Sequence, residues 1–442
     1  MSLYLSNDDI NEILKKKKFL LDKNKLINYL EFTKKNFVKF TYNKNICKNK
    51  NKNIDEINPL VWQYGHVIFF YINHVIRYLN KNNTFIDYYK YIDFYDSFLT
   101  PLENRFNNEK LLNFNICMSL YDDVIKYIKN HIINNKIGYL ECYVIMLGIL
   151  HNEMHNEAFI FTNINLSIKT NINLITFNTR YIIKNIEFID YDKGTFLQGS
   201  KQTNKNLIFD NEMPSFLKTI DKFKISKYPV TESMFLQFVL NNGYNKDIYW
   251  CDNSIKWLKK NNIKLPKYWI KTGNTYFKLI NNQKYNVNTN LPMSNISYYE
   301  AKAYCKWKKV RLPFESEYEY VSTNMGKTIY PWGNKPPNSN LCNINYKHNI
   351  VDVYKYNNGN NHKGVSQLIG NIWEWCEESI YPYNGFEIDP IYREMSYPFF
   401  GYKKICKGGC FAVSDFLIHP KYRNAQYPDC RIQFIGFRVC DI

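Results

Sequence analysis

At 442 residues the chain is too long for one small core, and two domains are expected. Its 45% apolar content with 17% aromatics excludes a disordered chain, and its eleven scattered cysteines, odd in number and without a C-x-x-C pair, exclude a disulfide framework or a zinc ribbon. The net charge of +18 is carried by lysines dispersed among Asn, Ile and Tyr with only eight arginines, a global bias that argues against a specific nucleic-acid patch.

Met1 to Lys18 carries charges throughout and no apolar segment, so it does not read as a signal peptide. No apolar run is long enough for a bilayer either, so no membrane is expected and a reducing, cytoplasmic compartment is the default. Ser6-Asn7-Asp8-Asp9 is a helix start, with Ser6 as cap and Asp9 at the third helical position, and a Lys-rich amphipathic stretch follows to about Phe40. After a polar Asn/Lys loop to about Asn53, Asn58-Pro59 opens an aromatic, apolar helix that carries His66 and runs to about Leu79. Tyr88 to Phe98 is aromatic but irregular and ends at Thr100-Pro101. Leu120 to Ile133, periodic through Val124, Ile125, Tyr127 and Ile128, is a third helix.

A fourth helix begins with the apolar run Tyr143 to Leu150 and closes on His151-Asn152-Glu153-Met154-His155-Asn156-Glu157. His151 and His155 sit one turn apart on one face, close enough to share an ion, and imidazoles favour Zn, Fe, Ni or Cu over Mg or Ca. Taken singly, an H-x-x-x-H pair is more often interfacial and a histidine such as His66 more often a satisfied core residue. A third ligand is what turns the pair into a site. Bundles build such sites from inward side chains on facing helices.

From Leu166 to Ile189 the pattern changes to short β-branched runs, a crossover segment. Beyond it strands are short, and Gly, Pro, Trp and Asn punctuate irregularly. The recurring stretches are Gly194 to Ser200, Asp210 to Pro214, Lys227 to Thr231, Pro292 to Ser297, Arg311 to Tyr320, Gly370 to Trp375, Lys407 to Phe411 and Gly436 to Val439. Trp373 and Trp375 read as core residues. Glu315 is placed to cap or bridge as the chain enters a helix, and Gly408-Gly409 allows close backbone approach. Cys406 and Cys410 are the closest cysteine pair.

In order and spacing these stretches resemble the signatures of the formylglycine-generating-enzyme fold, a variant of the C-type lectin fold, with Phe314, Tyr318 and Cys410 as departures. The N-terminal third resembles the DinB-like helical bundle of the ergothioneine-biosynthesis sulfoxide synthases. In that family a Pro-x-x-Trp-x-x-(Gly/Ala)-His helix and a His-x-x-x-His-x-Glu helix supply three iron ligands. The combination implies an α+β chain: a DinB-like four-helix bundle over 1–165, a crossover over 166–189 and a C-type-lectin-like domain over 190–442. It implies Fe(II) held by His66, His151 and His155, with Glu157 supporting them from behind. The implied activity is dioxygen-dependent C–S bond formation between a thiol, cysteine or γ-glutamylcysteine, and the imidazole of a histidine derivative such as hercynine. An upstream histidine methyltransferase is then the pathway partner.

The resemblance also assigns substrate residues. Tyr383, just before Asn384-Gly385-Phe386, matches the tyrosine that donates a proton beside the iron, with Tyr381 second. Asn424 matches a residue used on the histidine betaine, and Met154 replaces a glutamine with the same use. In the loop Arg423 to Arg431, Gln426 and Cys430 replace an Asp and an Arg that bind γ-glutamylcysteine, leaving Arg431 there and Arg105 in the N-terminal part for a carboxylate. The competing expectations are 5-histidylcysteine sulfoxide formation, as in ovothiol biosynthesis, and a non-catalytic lectin-like binding module. A DNA-binding role rests on charge alone.

Overall fold

The computed structural model describes residues 12, 19–41, 57–79, 84–107, 109–168, 182–203, 206–280 and 283–442. The expected cap at Ser6, most of the polar loop to Asn53 and the middle of the crossover segment lie outside them. The chain forms two compact units. A helical unit contains residues 1–162, 201–213 and 385–398, and a second unit contains 163–200, 214–384 and 399–442. Segments 201–213 and 385–398 therefore join the helices, although their sequence places them among the strands.

Four long helices dominate the helical unit: α1 (Lys23–Thr41), α2 (Leu60–Tyr71), α3 (Phe114–Asn134) and α4 (Tyr139–Asn165). Pro59, with φ −56°, precedes α2 where the backbone N–H would lack a partner in any case. Asn113 caps α3 by accepting the Asn115 N–H at 2.9 Å. Nearly all of α2 and most of the N-terminal half of α4 are buried, which fits helices at the centre of a bundle rather than on its surface. Phe37 of α1 stacks on Tyr121 of α3 (ring centroids 3.9 Å) and meets Phe159 of α4 edge-on (5.5 Å).

Two glycines set how closely these elements approach. A Cβ on Gly148 of α4 would lie 2.6 Å from Tyr71 Cε1 and 2.7 Å from Val75 Cγ2. A Cβ on Gly65 would collide with the Tyr95 ring. Beyond Tyr71 the α2 helix passes into a π-helical turn, Ile72–Ile76. No described helix is long and apolar enough to cross a membrane.

In the second unit, β1 (Phe188–Tyr191), β2 (Gly194–Gln198), β3 (Phe216–Ile220) and β4 (Phe223–Ser226) form two antiparallel pairs, β1 with β4 and β2 with β3. β5 (Trp269–Thr272), β6 (Thr275–Ile280) and β7 (Gln283–Asn286) make a meander. β8 (Trp373–Ser379), β9 (Lys404–Lys407), β10 (Asn424–Gln426) and β11 (Ile435–Gly436) form a sheet in the order β10-β9-β8-β11, antiparallel except for β8–β11. The helices include α5 (Glu232–Leu240), capped by Thr231, and α6 (Asp252–Lys260). They also include α7 (Tyr298–Lys308), closed by a Ser297/Glu300 capping box, and α8 (Glu315–Ser322).

The signature stretches have packing explanations. Trp373 and Trp375 are buried, and so are Cys406 and Cys410. Arg438 is fully buried and holds Glu374 through two hydrogen bonds, 2.7 and 2.8 Å, while Nη2 also donates to the Ser366 carbonyl at 2.9 Å. Tyr318, at one of the departures from the family pattern, donates to Leu368 O (3.1 Å) and Glu374 Oε1 (3.2 Å). Gly408 and Gly409 adopt φ +91° and +79°, a conformation that side chains resist.

Breaking the buried Arg438–Glu374 pair from one side leaves an uncompensated guanidinium. Glu374→Gln is expected to destabilise the second unit by about 3–5 kcal/mol. Denaturant unfolding followed by tryptophan fluorescence checks this, and a loss below about 1 kcal/mol would show that the backbone carbonyls around Arg438 suffice.

Candidate metal centre

His66 comes from α2, and His151 and His155 come from α4, one turn apart. The structure brings the three together: one ligand atom from each lies within 4.8 Å of the others. Ring centroids are 5.0 Å apart for His66–His151, 4.7 Å for His66–His155 and 4.6 Å for His151–His155. The Tyr95 carbonyl lies 2.6 Å from His66 Nδ1, which puts the proton on Nδ1 and leaves Nε2 with its lone pair. Gly65 makes that contact possible by admitting Tyr95 against the helix. Trp62 stacks on the His66 ring (5.1 Å) and Phe70 on the His151 ring (3.6 Å), fixing their planes.

Burial pushes all three imidazoles below their ordinary pKa, His66 to about 4, and neighbouring histidines add to the effect at His151 and His155. All three are therefore neutral near pH 7, the form that binds a metal. The Nδ1 atoms of His151 and His155 are buried without a hydrogen-bond partner. Three converging neutral imidazoles, two with orphaned nitrogens, suit a borderline divalent transition metal and not Mg or Ca. The intervening Asn152 and Asn156 do different work. Asn152 Oδ1 accepts from Tyr121 at 2.7 Å, and Asn156 Nδ2 donates to Glu153 Oε1 at 2.8 Å. Glu157 is buried, and Met154 is half-buried between the two histidines.

His66 and His151 line a cavity of about 400 Å³, counted to its open mouth. Two further residues line it that sequence reasoning missed. His74, in the π-helical turn, is pushed down to about 4 by burial and lies 4.5 Å from the Phe70 ring. Its only signal is its position eight residues after His66 in the same apolar stretch. Tyr392 meets His151 edge-on with centroids 5.8 Å apart, and burial raises its phenol well above the ordinary value.

Tyr392 is held by a clasp. Asp389 Oδ1 accepts the N–H groups of Ile391 and Tyr392, each at 2.9 Å, and Tyr143 of α4 donates to Asp389 Oδ2. Asp210 Oδ2 accepts from both Asp389 N (3.0 Å) and Ser396 Oγ (2.8 Å). Burial moves Asp210 up to about 6.

The remaining expected site residues sit in the second unit, apart from Arg105. Tyr383 donates to Glu315 Oε1 at 3.1 Å, accepts from Gln198 Nε2 at 3.3 Å and lies under the Arg423 guanidinium. Tyr381 is exposed. Asn424 and Gln426, the ends of β10, are half-buried. Arg431 is committed to Glu300 through two hydrogen bonds of 3.1 and 3.0 Å. Arg105 donates to Thr100 O, Asn58 Oδ1 and Ser97 O and stacks on Trp62. Neither arginine has its fork free for a substrate carboxylate.

Residues 180–441 match the family described as the sulfatase-modifying factor enzyme 1-like domain. The chain is 28% identical over 250 residues to a hercynine oxygenase of Mycobacterium tuberculosis, covering 55% of this chain and 58% of that protein. It is 28% identical over 255 residues to a hercynine oxygenase of Mycolicibacterium thermoresistibile, covering 55% and 56%. The match thus spans a little over half the length of these curated relatives. PvdO from Pseudomonas aeruginosa aligns over 60% of this chain and 99% of its own at 19% identity, with a TM-score of 0.39.

Two outcomes follow from the geometry. Asp389→Ala should speed amide exchange at Ile391 and Tyr392 while leaving metal stoichiometry unchanged; unchanged exchange would mean that the loop holds itself. The second concerns pH. An unfolded histidine takes up a proton below about 6.5, whereas folded His66 and His74 resist until about 4. Their contribution to the stability of the metal-free protein is whole above pH 6.5 and is lost as pH falls towards 4. The melting temperature of the metal-free wild type should therefore drop more steeply between pH 7 and 5 than that of His74→Gln. Parallel slopes would show that folded His74 titrates like an unfolded one.

Proposed function

The chain belongs to the sulfatase-modifying factor enzyme 1-like family, and from that premise we propose that it is a non-heme iron- and dioxygen-dependent sulfoxide synthase. It joins a thiol to the imidazole ring carbon of a histidine derivative, hercynine in the first instance. One observation carries this reading: three neutral imidazoles converge within 4.8 Å, two of them on the wall of a cavity, in a chain whose relatives include hercynine oxygenases. Thiol, imidazole C–H and dioxygen give sulfoxide and water, so the two substrates supply all four electrons and no separate reductant is needed.

His66, His151 and His155 would hold the iron, which when bound supplies thiol activation and dioxygen reduction. The protein's own groups do the rest. Phe69 and Phe70 keep bulk water from one wall of the cavity. Tyr95 and Tyr392 both line it; the Tyr95 hydroxyl accepts the Leu112 N–H at 2.8 Å, whereas Tyr392 meets His151 edge-on and burial keeps its phenol protonated, so Tyr392 is the proton donor we assign. Asp389 orients it through the backbone. Tyr383, the donor expected from the sequence, has its hydroxyl engaged with Glu315. Asn424 and Met154 are assigned to the imidazole substrate on the family pattern alone. A histidine methyltransferase would supply hercynine, and the setting is cytoplasmic. Because Arg105 and Arg431 are committed elsewhere and Gln426 is uncharged, cysteine suits the site better than γ-glutamylcysteine. The same preference fits free histidine with cysteine as the second substrate pair.

Iron reconstituted without oxygen should bind at one per chain, and His155→Ala should abolish it by metal analysis. With oxygen, cysteine and hercynine, mass spectrometry should find the sulfoxide. Tyr392→Phe should keep iron but slow C–S bond formation by about 10²-fold or divert the thiol to oxidation. Tyr383→Phe should do neither. No sulfoxide from hercynine or histidine, or iron undiminished in His155→Ala, would overturn the reading.

A further inference from the structure

The wall of the histidine cavity contains the carboxylates of Asp96 and Glu394 and, among its described lining residues, no lysine or arginine. Two guanidinium groups of this unit are engaged elsewhere, and a third is exposed. Arg105 is spent on the backbone and Asn58, Arg77 donates to Asn73 Oδ1 at 3.0 Å, and Arg393 is exposed. Asp96 uses Oδ1 for the N–H groups of Phe98 and Leu99, at 2.7 and 3.3 Å, which fixes the side chain and leaves Oδ2 open. Glu394 is carried on the segment clasped by Asp389 and Asp210. Burial raises its carboxyl, and Asp96 raises it further against the lowering by its own backbone N–H and by Arg393, so the two acids sense one another.

A second observation points to a ligand in this cavity. His151, only 2% exposed, lines the same wall with an unpartnered Nδ1. A thiol held at the three histidines would therefore extend its tail along a wall that carries negative charge.

We propose that Asp96 and Glu394 form an ammonium subsite, and that the thiol accepted here is an aminothiol whose protonated amine they hold. The proposal rests on the metal-centre reading and names the chemistry of one substrate. Ammonium donates charge-assisted hydrogen bonds to carboxylates, and a carboxylate tail in the same place meets like charge without compensation.

The test uses Co(II)-loaded protein without oxygen, titrated with cysteamine and with 3-mercaptopropionate, thiols of similar length and opposite tail charge. Binding is read from thiolate-to-cobalt charge-transfer absorption. Cysteamine should bind about tenfold more tightly or better. Asp96→Asn and Glu394→Gln should each shrink that ratio with cobalt still at one per chain. Cobalt bound at one per chain with 3-mercaptopropionate equal or tighter would overturn the subsite alone. Failure to bind cobalt would overturn the metal centre, and the subsite with it. The wild-type comparison needs no variant, so misfolding of either substitution leaves the proposal falsifiable.

Discussion

The close approach of α2 to α4 at Gly148 is the contact on which the site depends. Tyr71 and Val75 occupy the space a side chain at that position would fill. The glycine lies less than one turn before His151, and Tyr71 and Val75 follow His66 by five and nine residues. Separation of the helices there would be felt directly at the ligand atoms, which converge within 4.8 Å. Interiors this dense do not absorb an added methyl by local adjustment. Gly65 plays the same part on the other side of His66, where Tyr95 supplies the carbonyl that selects its tautomer.

Desolvation sets the electrostatics in both units, with opposite results. In the helical unit it leaves the histidines neutral and available. In the second unit it is offset by pairing: Arg438 with Glu374 and Arg423 with Glu315. Burial alone would raise Glu315, but Arg423 and Lys407 outweigh it and hold the carboxyl below the usual range. The alternating glutamates of α8 divide accordingly. Glu315 meets Arg423, Glu317 caps Phe314 N and pairs with Arg311, and Glu319 accepts the Gly199 N–H. Their spacing is that of a buried polar network, which needs every partner in place.

The helices and the three metal-type ligands were legible because their signals are local. Pro59 before an aromatic run, and histidines four apart, are properties of a few consecutive residues. The clasp and the tyrosine it holds were not. Tyr392 follows His155 by more than two hundred residues, and nothing around it distinguishes it from the other 37 tyrosines. Tyr383 stood out because its neighbours spell a short motif, yet a motif carries no account of Glu315, which lies 68 positions away and takes its hydroxyl. Likewise Arg105 and Arg431 read as free charges in sequence, while backbone carbonyls and Glu300 claim them in the fold. His74 is a phase problem: straight helical counting places it by 3.6-residue turns, and the π-helical turn changes that count.

The clasp also gives the centre a birth order. All three histidines have been synthesised by residue 155, but Asp389, Tyr392, Glu394 and Ser396 have not. At ribosomal speeds of about 5–20 residues per second, the interval is roughly ten to fifty seconds. During that time the growing chain has the three imidazoles without the Tyr392 phenol and the Glu394 carboxylate that later wall the cavity. A truncated chain ending after α4 would stay in that early state permanently. Completion of the cavity thus waits on a segment more than two hundred residues downstream, which ties the timing of its assembly to translation.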